Sequence, residues 1–144
     1  MKKLLYTLLA VSIIFSACDK EEESNSNSNI NITVSNMTGI WKATSLILDG
    51  ANQAILATIL YKVNSDMTIE EDVEFNNNPG NIIDNSGTWE LSGTNLIINW
   101  VTEEKTTYHI NSLSSTTASL ILVEYLNDSG DIKHDSGSCN LVKQ

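Results

Sequence analysis

The sequence predicts an all-β fold, a small up-and-down antiparallel barrel of eight strands, on three observations. From Val34 onward, short apolar runs alternate with groups of Gly, Asn, Asp and Ser, and the chain holds a single Pro. Apolar stripes at helical spacing are absent from this part, so its organising period is that of a strand. A Gly-x-Trp unit, Gly39-Ile40-Trp41, heads the first strand-like run, and a second, Gly87-Thr88-Trp89, recurs in mid-chain.

Strands are expected near 40–49, 54–63, 67–75, 86–91, 95–102, 105–113, 117–126 and 131–143. The links Asn64-Ser65-Asp66, Ser92-Gly93-Thr94-Asn95 and Asn127-Asp128-Ser129-Gly130 carry side chains that bond their own backbone and residues that tolerate positive φ. Links this short join sequential neighbours, which makes a meander. Asn76 to Ser86 reads as the longest irregular link, with Ile82-Ile83 free to fold over a barrel mouth.

Alternation then separates an inner face from an outer one. Ala57, Ile59, Tyr61 and Val63 share a face; Ile69, Val73 and Phe75 oppose Thr68, Glu70, Asp72 and Glu74. Trp89 and Leu91, then Leu96, Ile98 and Trp100, then Tyr108 and Ile110, then Leu120 and Leu122 continue the inner set. Trp41, Tyr61, Trp89, Trp100 and Tyr108 are therefore expected in the core or around a ligand cup. Two carboxylates, Glu71 and Glu124, fall in phase with the inner face. A buried carboxylate is costly unless it is paired or ligand-bound, so both are candidates to orient a ligand's polar group, unless bulges turn them outward.

The chain before the barrel has another character. Met1-Lys2-Lys3 and the apolar run Leu4 to Phe15 form the n- and h-regions of an export signal covering residues 1–17. Twelve residues, broken by Thr7 and Ser12, are fewer than the about 20 that a spanning helix needs. Residues 18–33 read as a polar tether of Glu, Ser and Asn that buries too little apolar surface to order itself, and residues 34–144 as the barrel domain. Beyond the signal, six Lys stand against 18 acidic residues, a formal charge of −12, with no Arg in the chain. Nucleic acid is not expected as a partner, since phosphate contacts need basic patches. Of the two Cys, Cys139 is expected as a small buried residue of the last strand.

Ser16-Ala17-Cys18, small residues before a Cys at the end of an h-region, resembles the lipobox of bacterial lipoproteins, with Phe15 where Leu is usual. That resemblance implies cleavage before Cys18, acylation of Cys18 and attachment to the membrane through its lipid. Lys20-Glu21-Glu22-Glu23 after Asp19 is similar to a Lys-plus-acidic tag that sends some lipoproteins to the outer face of the outer membrane. Surface exposure is the expectation, although an Asp after the lipidated Cys signals inner-membrane retention in other bacteria, and a solvated acidic spacer has the same composition.

Gly-x-Trp before the first strand, the Gly87–Ile98 unit Gly-Thr-Trp-Glu-Leu-Ser-Gly-Thr-Asn-Leu-Ile-Ile, and the later Tyr-x-Ile and Leu-x-Leu rhythm resemble the short lipocalin-like domains of bacterial surface lipoproteins. The resemblance implies an up-and-down barrel that holds either a small hydrophobic molecule or no ligand. Full lipocalins pack a last-strand Arg over the first-strand Trp; here only Lys143 is available for that place, and a terminal Lys is ordinarily solvated.

Catalytic constellations are not expected. His134-Asp135-Ser136-Gly137-Ser138 has the residue types of a hydrolase triad, but contiguous residues of an extended segment point to alternate sides. His109 and His134 lack metal-ligand spacing, and the Glu70-Glu71-Asp72-Glu74 cluster lacks a cation-wrapping loop. The sequence thus predicts no enzyme and no cofactor. Its two functional readings are a tethered barrel that binds a small, mostly apolar molecule, and a filled barrel that acts as an interaction or structural module at the envelope.

Overall fold

The computed structural model describes residues 31–134 and 136–144. The expected signal, Cys18 and the tether as far as residue 30 lie outside the described residues. A helical turn, α1 (Val34–Met37), precedes β1 (Gly39–Leu48), β2 (Ala51–Asn52) and a 3₁₀ turn (Gln53–Ile55). There follow β3 (Ala57–Val63), β4 (Thr68–Phe75), β5 (Ile82–Ser92), β6 (Asn95–Trp100), β7 (Lys105–Leu113), β8 (Thr117–Leu126), β9 (Ile132–His134) and β10 (Gly137–Lys143). Each long strand pairs antiparallel with the next, and β10 pairs with both β8 and β1. That double pairing closes the sheet into an eight-stranded up-and-down barrel, with β2 a short return on β1 and β9 an extension on β8.

Four local features differ from the sequence expectation. Val34 to Met37 is helical: the Thr33 hydroxyl accepts from Asn36 N at 3.2 Å and caps the turn, while Ile32 packs on the core. Residues 31–33, read as the end of the tether, thus belong to the folded unit. The strand expected at 54–63 starts at Ala57, because Asn52 Oδ1 accepts from Leu46 N and Ala54 N at 3.2 and 3.1 Å and holds a 3₁₀ turn there. Ile82-Ile83 does not fold over the mouth but pairs with Glu74 and Val73, so the irregular link shortens to Asn76–Asn81. There Gly80 N donates to Glu74 Oε1 at 2.7 Å, a bond within the turn that lets the strands run longer than their polar composition indicates. The last expected strand divides into β9 and β10.

One end of the barrel is plugged. Met37 and Trp41 are fully buried there, and Trp41 Nε1 donates to Met37 O at 2.7 Å. Lys143 is not solvated as expected: its Nζ stands 4.7 Å from the Trp41 ring centroid and donates to Asn36 O at 3.3 Å. Gly39 makes room for it. With φ at +141°, a Cβ on Gly39 would come within 2.7 Å of Lys143 Cε. Trp89 serves the same end, donating from Nε1 to Asn64 O at 3.0 Å and pinning the β3–β4 turn. Its partner glycine, Gly87, sits where a Cβ would meet Asn99 O at 2.3 Å, so the β5–β6 approach requires that residue. Burial of each such large side chain stabilises the fold by about 1.5–3 kcal/mol.

Cys139 is buried on β10 as expected, and burial pushes its thiol up to about 12. In the native protein it should be inert to thiol reagents at neutral pH and become reactive only on global unfolding; modification under native conditions, located by peptide mapping, would contradict this. Gly39→Ala should cost about 1–3 kcal/mol through its φ strain, and Lys143→Ala about 0.5–2 kcal/mol through loss of the cation over Trp41. Because Gly39→Ala already displaces Lys143, urea unfolding of the double variant should show less than the sum; strict additivity would mean that the two residues do not cooperate.

Candidate functional site

The opposite end of the barrel is open, and its interior holds a recess of about 70 Å³. Four aromatic side chains, Tyr61, Trp100, Tyr108 and Tyr125, wall it, with Leu46 and Leu48 on the β1 side and Glu71, Asn85 and Thr106 as further polar groups. Below, towards Met37, only about 20 Å³ remains between apolar side chains. The barrel is therefore filled for most of its depth, and the recess accommodates on the order of five water-sized groups.

Register places Glu71 there. Tyr61 and Glu71 are directly paired between β3 and β4, and Glu71 pairs with Asn85 on β5, so all three present side chains to one face. Burial raises the Glu71 pKa above its ordinary value, an interaction with the Tyr61 hydroxyl pulls it back, and the Glu104 and Asp72 charges raise it further. The Tyr61 and Tyr108 phenols are themselves pushed well up, chiefly by burial, and stay protonated donors. None of the ion pairs among the described residues involves Glu71. Trp100 Nε1 donates to Thr106 Oγ1 at 2.9 Å, which fixes the indole against the wall.

Glu124 does not join the site. A bulge between Thr107 and Tyr108 shifts the β7–β8 register, so that Thr107 pairs with Glu124 and Thr106 with Tyr125. Thr106 and Tyr125 line the recess, and Glu124 goes to the outer face, where Oε1 accepts from Thr107 Oγ1 at 3.4 Å. Tyr125 takes the inner place by the same one-residue shift. Its hydroxyl donates to Glu104 Oε2 at 2.7 Å, and Lys133 Nζ bonds Glu104 Oε1 at 2.7 Å while standing 4.9 Å from the Tyr125 ring centroid. Burial, then Glu104, raises the Tyr125 phenol to about 12.

Tyr61, Trp100 and Tyr108 border the recess, whereas Trp41 and Trp89 belong to the plugged end. His134 Nδ1 is paired with Asp49 and its ring lies 5.4 Å from that of Tyr125; Asp135 lies outside the described residues. Glu70 is bridged to Lys62 at 2.6 Å on the outer face, so the acidic run Glu70–Glu74 splits across the sheet. Tyr125, Asn85 and Thr106 were not singled out by the sequence. Asn85 and Thr106 share the phase of Trp89 and Tyr108, which could have found them; Tyr125 is hidden by the bulge.

A closed eight-stranded meander, plugged at one end and open over aromatic and carboxyl side chains at the other, is a cup-type barrel. The chain belongs to the lipocalin-like domain family, whose model matches residues 37–120. Its fold is similar to that of a lipocalin-like protein from Bacteroides uniformis ATCC 8492, with a TM-score of 0.55, 15% identity and coverage of 76% of this chain and 99% of that one. It is also similar to an uncharacterized protein from Bacteroides eggerthii DSM 20697, with a TM-score of 0.52, 12% identity and coverage of 74% and 98%. No functionally curated protein matches the sequence.

Linkage gives the site a pH signature. The Glu71 pKa is higher folded than unfolded, so the folded state binds the extra proton and stability falls as pH rises through the window that starts near 4.5 and ends at the folded pKa. Glu71→Gln removes this term. The variant should gain stability relative to the parent at pH 7 compared with pH 3; a difference that is the same at both pH values in urea unfolding would show that Glu71 is not desolvated.

Proposed function

We propose that this chain is an exported lipoprotein, held to the outer membrane through lipid on Cys18, whose barrel binds a small, mostly apolar molecule at its open mouth. One observation carries the binding part: an apolar rim leads into a recess with a polar end. On β4, Val73 and Phe75 continue the inward phase of Glu71, and on β5 Ile83 continues that of Asn85, about 7 Å per pair of residues along each strand. Phe75, Ile83, Ile55 and Leu56 are left exposed, the last two at 70% and 57%. Single exposed apolar residues are ordinary, but a set gathered at a mouth is the usual mark of a binding surface.

The filled interior restricts how such a molecule is held. It enters by its polar end, with its apolar body against the rim, and is not enclosed in the way a large hydrophobic cargo would be. The small interior also favours the second reading, an interaction module at the envelope with no ligand inside. Lipid attachment at Cys18 and surface exposure rest on the lipobox-like Ser16-Ala17-Cys18 and the acidic residues after it. The charge of the chain supports a role away from nucleic acid. The described chain enters at the plugged end, the end opposite the mouth.

Cells supplied with labelled palmitate should yield a labelled mature chain that begins at Cys18, and Cys18→Ser should be unlabelled and keep its signal. A mature terminus elsewhere would refute the anchor, and protection of the barrel from added protease on intact cells would refute surface exposure. Native mass spectrometry should show an extractable mass excess on the purified barrel; a clean apo mass favours the interaction module.

A further inference from the structure

The recess combines features that together select a charge type. Glu71 brings a carboxyl into the barrel without an ion-pair partner among the described residues, and the Lys133 amine, beside Tyr125, is held by Glu104. Tyr61, Trp100, Tyr108 and Tyr125 surround it, and the first three are more than nine-tenths buried. Tyr61 presents its hydroxyl to the Glu71 carboxyl, and the Tyr108 phenol lines the same recess. An anion is repelled by Glu71, Glu104 and Asp72, and a purely apolar group would strip water from the carboxyl while offering it no counter-charge. A cation satisfies both demands, since aromatic faces attract it and the carboxyl neutralises it.

We infer that the recess is an ammonium site: it receives the amine or methylated ammonium group of an otherwise apolar small molecule, with Glu71 as counter-ion and Tyr61, Trp100, Tyr108 and Tyr125 as an aromatic cage. This rests on the reading of the mouth as a binding site and names the ligand class for it. The volume agrees, since a trimethylammonium group is about the size of the space. Tyr125 is the adjustable wall. It is half-buried at the rim, packed against the edge of the core and braced by Glu104 and Lys133, so it covers the recess. The acidic surface of the chain attracts the same class of ligand towards the mouth.

The test compares choline with neohexyl alcohol, its uncharged isostere, by titrating the intrinsic fluorescence of the full chain in dodecyl maltoside micelles, with empty micelles as blank. Choline should bind about tenfold or more tighter than the alcohol. Glu71→Gln should abolish that preference, and Tyr125→Leu at the rim should weaken choline several-fold with Glu71 in place. Equal binding of the two probes, or a preference that survives Glu71→Gln, overturns the ammonium assignment and leaves the mouth as a site for apolar molecules. Binding of neither probe overturns both.

Discussion

The structure depends on the seam where the first long strand meets the last. An eight-stranded meander is a sheet with two free edges until β10 pairs with β1, and a free edge is a template for association with other chains. At that seam Trp41 is held by Met37 O from below and by Lys143 from the last strand, and Trp41 and Lys143 are themselves cross-strand partners. One side chain thus ties α1, β1 and β10 together. Gly39 is the residue that makes the arrangement possible, since any side chain there would collide with the Lys143 stem. The Gly-Ile-Trp unit is accordingly a closure device, and it lies at the far end of the barrel from the recess.

That division of labour explains the shape of the site. Plugging one end with Met37, Trp41 and Trp89 fills the interior to roughly the level of Tyr61 and Tyr108, and what remains is shallow. Glu71 sits at the boundary. One pair further into the barrel is Ile69, which is fully buried, and two pairs further out is Phe75, which is exposed. A carboxyl at this depth is dry enough for its pKa to rise and open enough to meet a ligand. The phenols beside it, raised in the same way, remain donors, so the recess offers hydrogen-bond donors, π faces and one carboxyl group side by side.

Most of the wall was legible from alternation, because each strand has one buried face and a slip of a single residue would turn that whole face outward. The Thr68–Phe75 run gave Glu71 its inward direction correctly, and the Lys105–Leu113 run is unchanged in the structure. Alternation failed where the backbone leaves its period. The bulge beside Tyr108 reverses Glu124 and Tyr125, and nothing in the residues of Thr117–Leu126 announces it. The Asn-rich segment after Phe75 looked irregular because its composition is polar, yet Ile82 to Ser86 is a strand; it stands beyond the closed part of the barrel, where pairing with β4 and not burial sets its conformation. The Lys143 contact was visible only as an available cation, since its place depends on a glycine that lies across the seam and more than 100 residues away in sequence.

The open end is a shallow, carboxyl-floored recess, and its proposed role is to take the head of a ligand and not its body. A crystal structure of the barrel with hexyltrimethylammonium tests it most directly. The nitrogen should lie between Glu71 and the rings of Tyr61, Tyr108 and Tyr125, with the hexyl chain directed out across Phe75 and Ile83. An alkyl chain threaded inward past Tyr61 towards Met37, with the nitrogen in solvent, would contradict it.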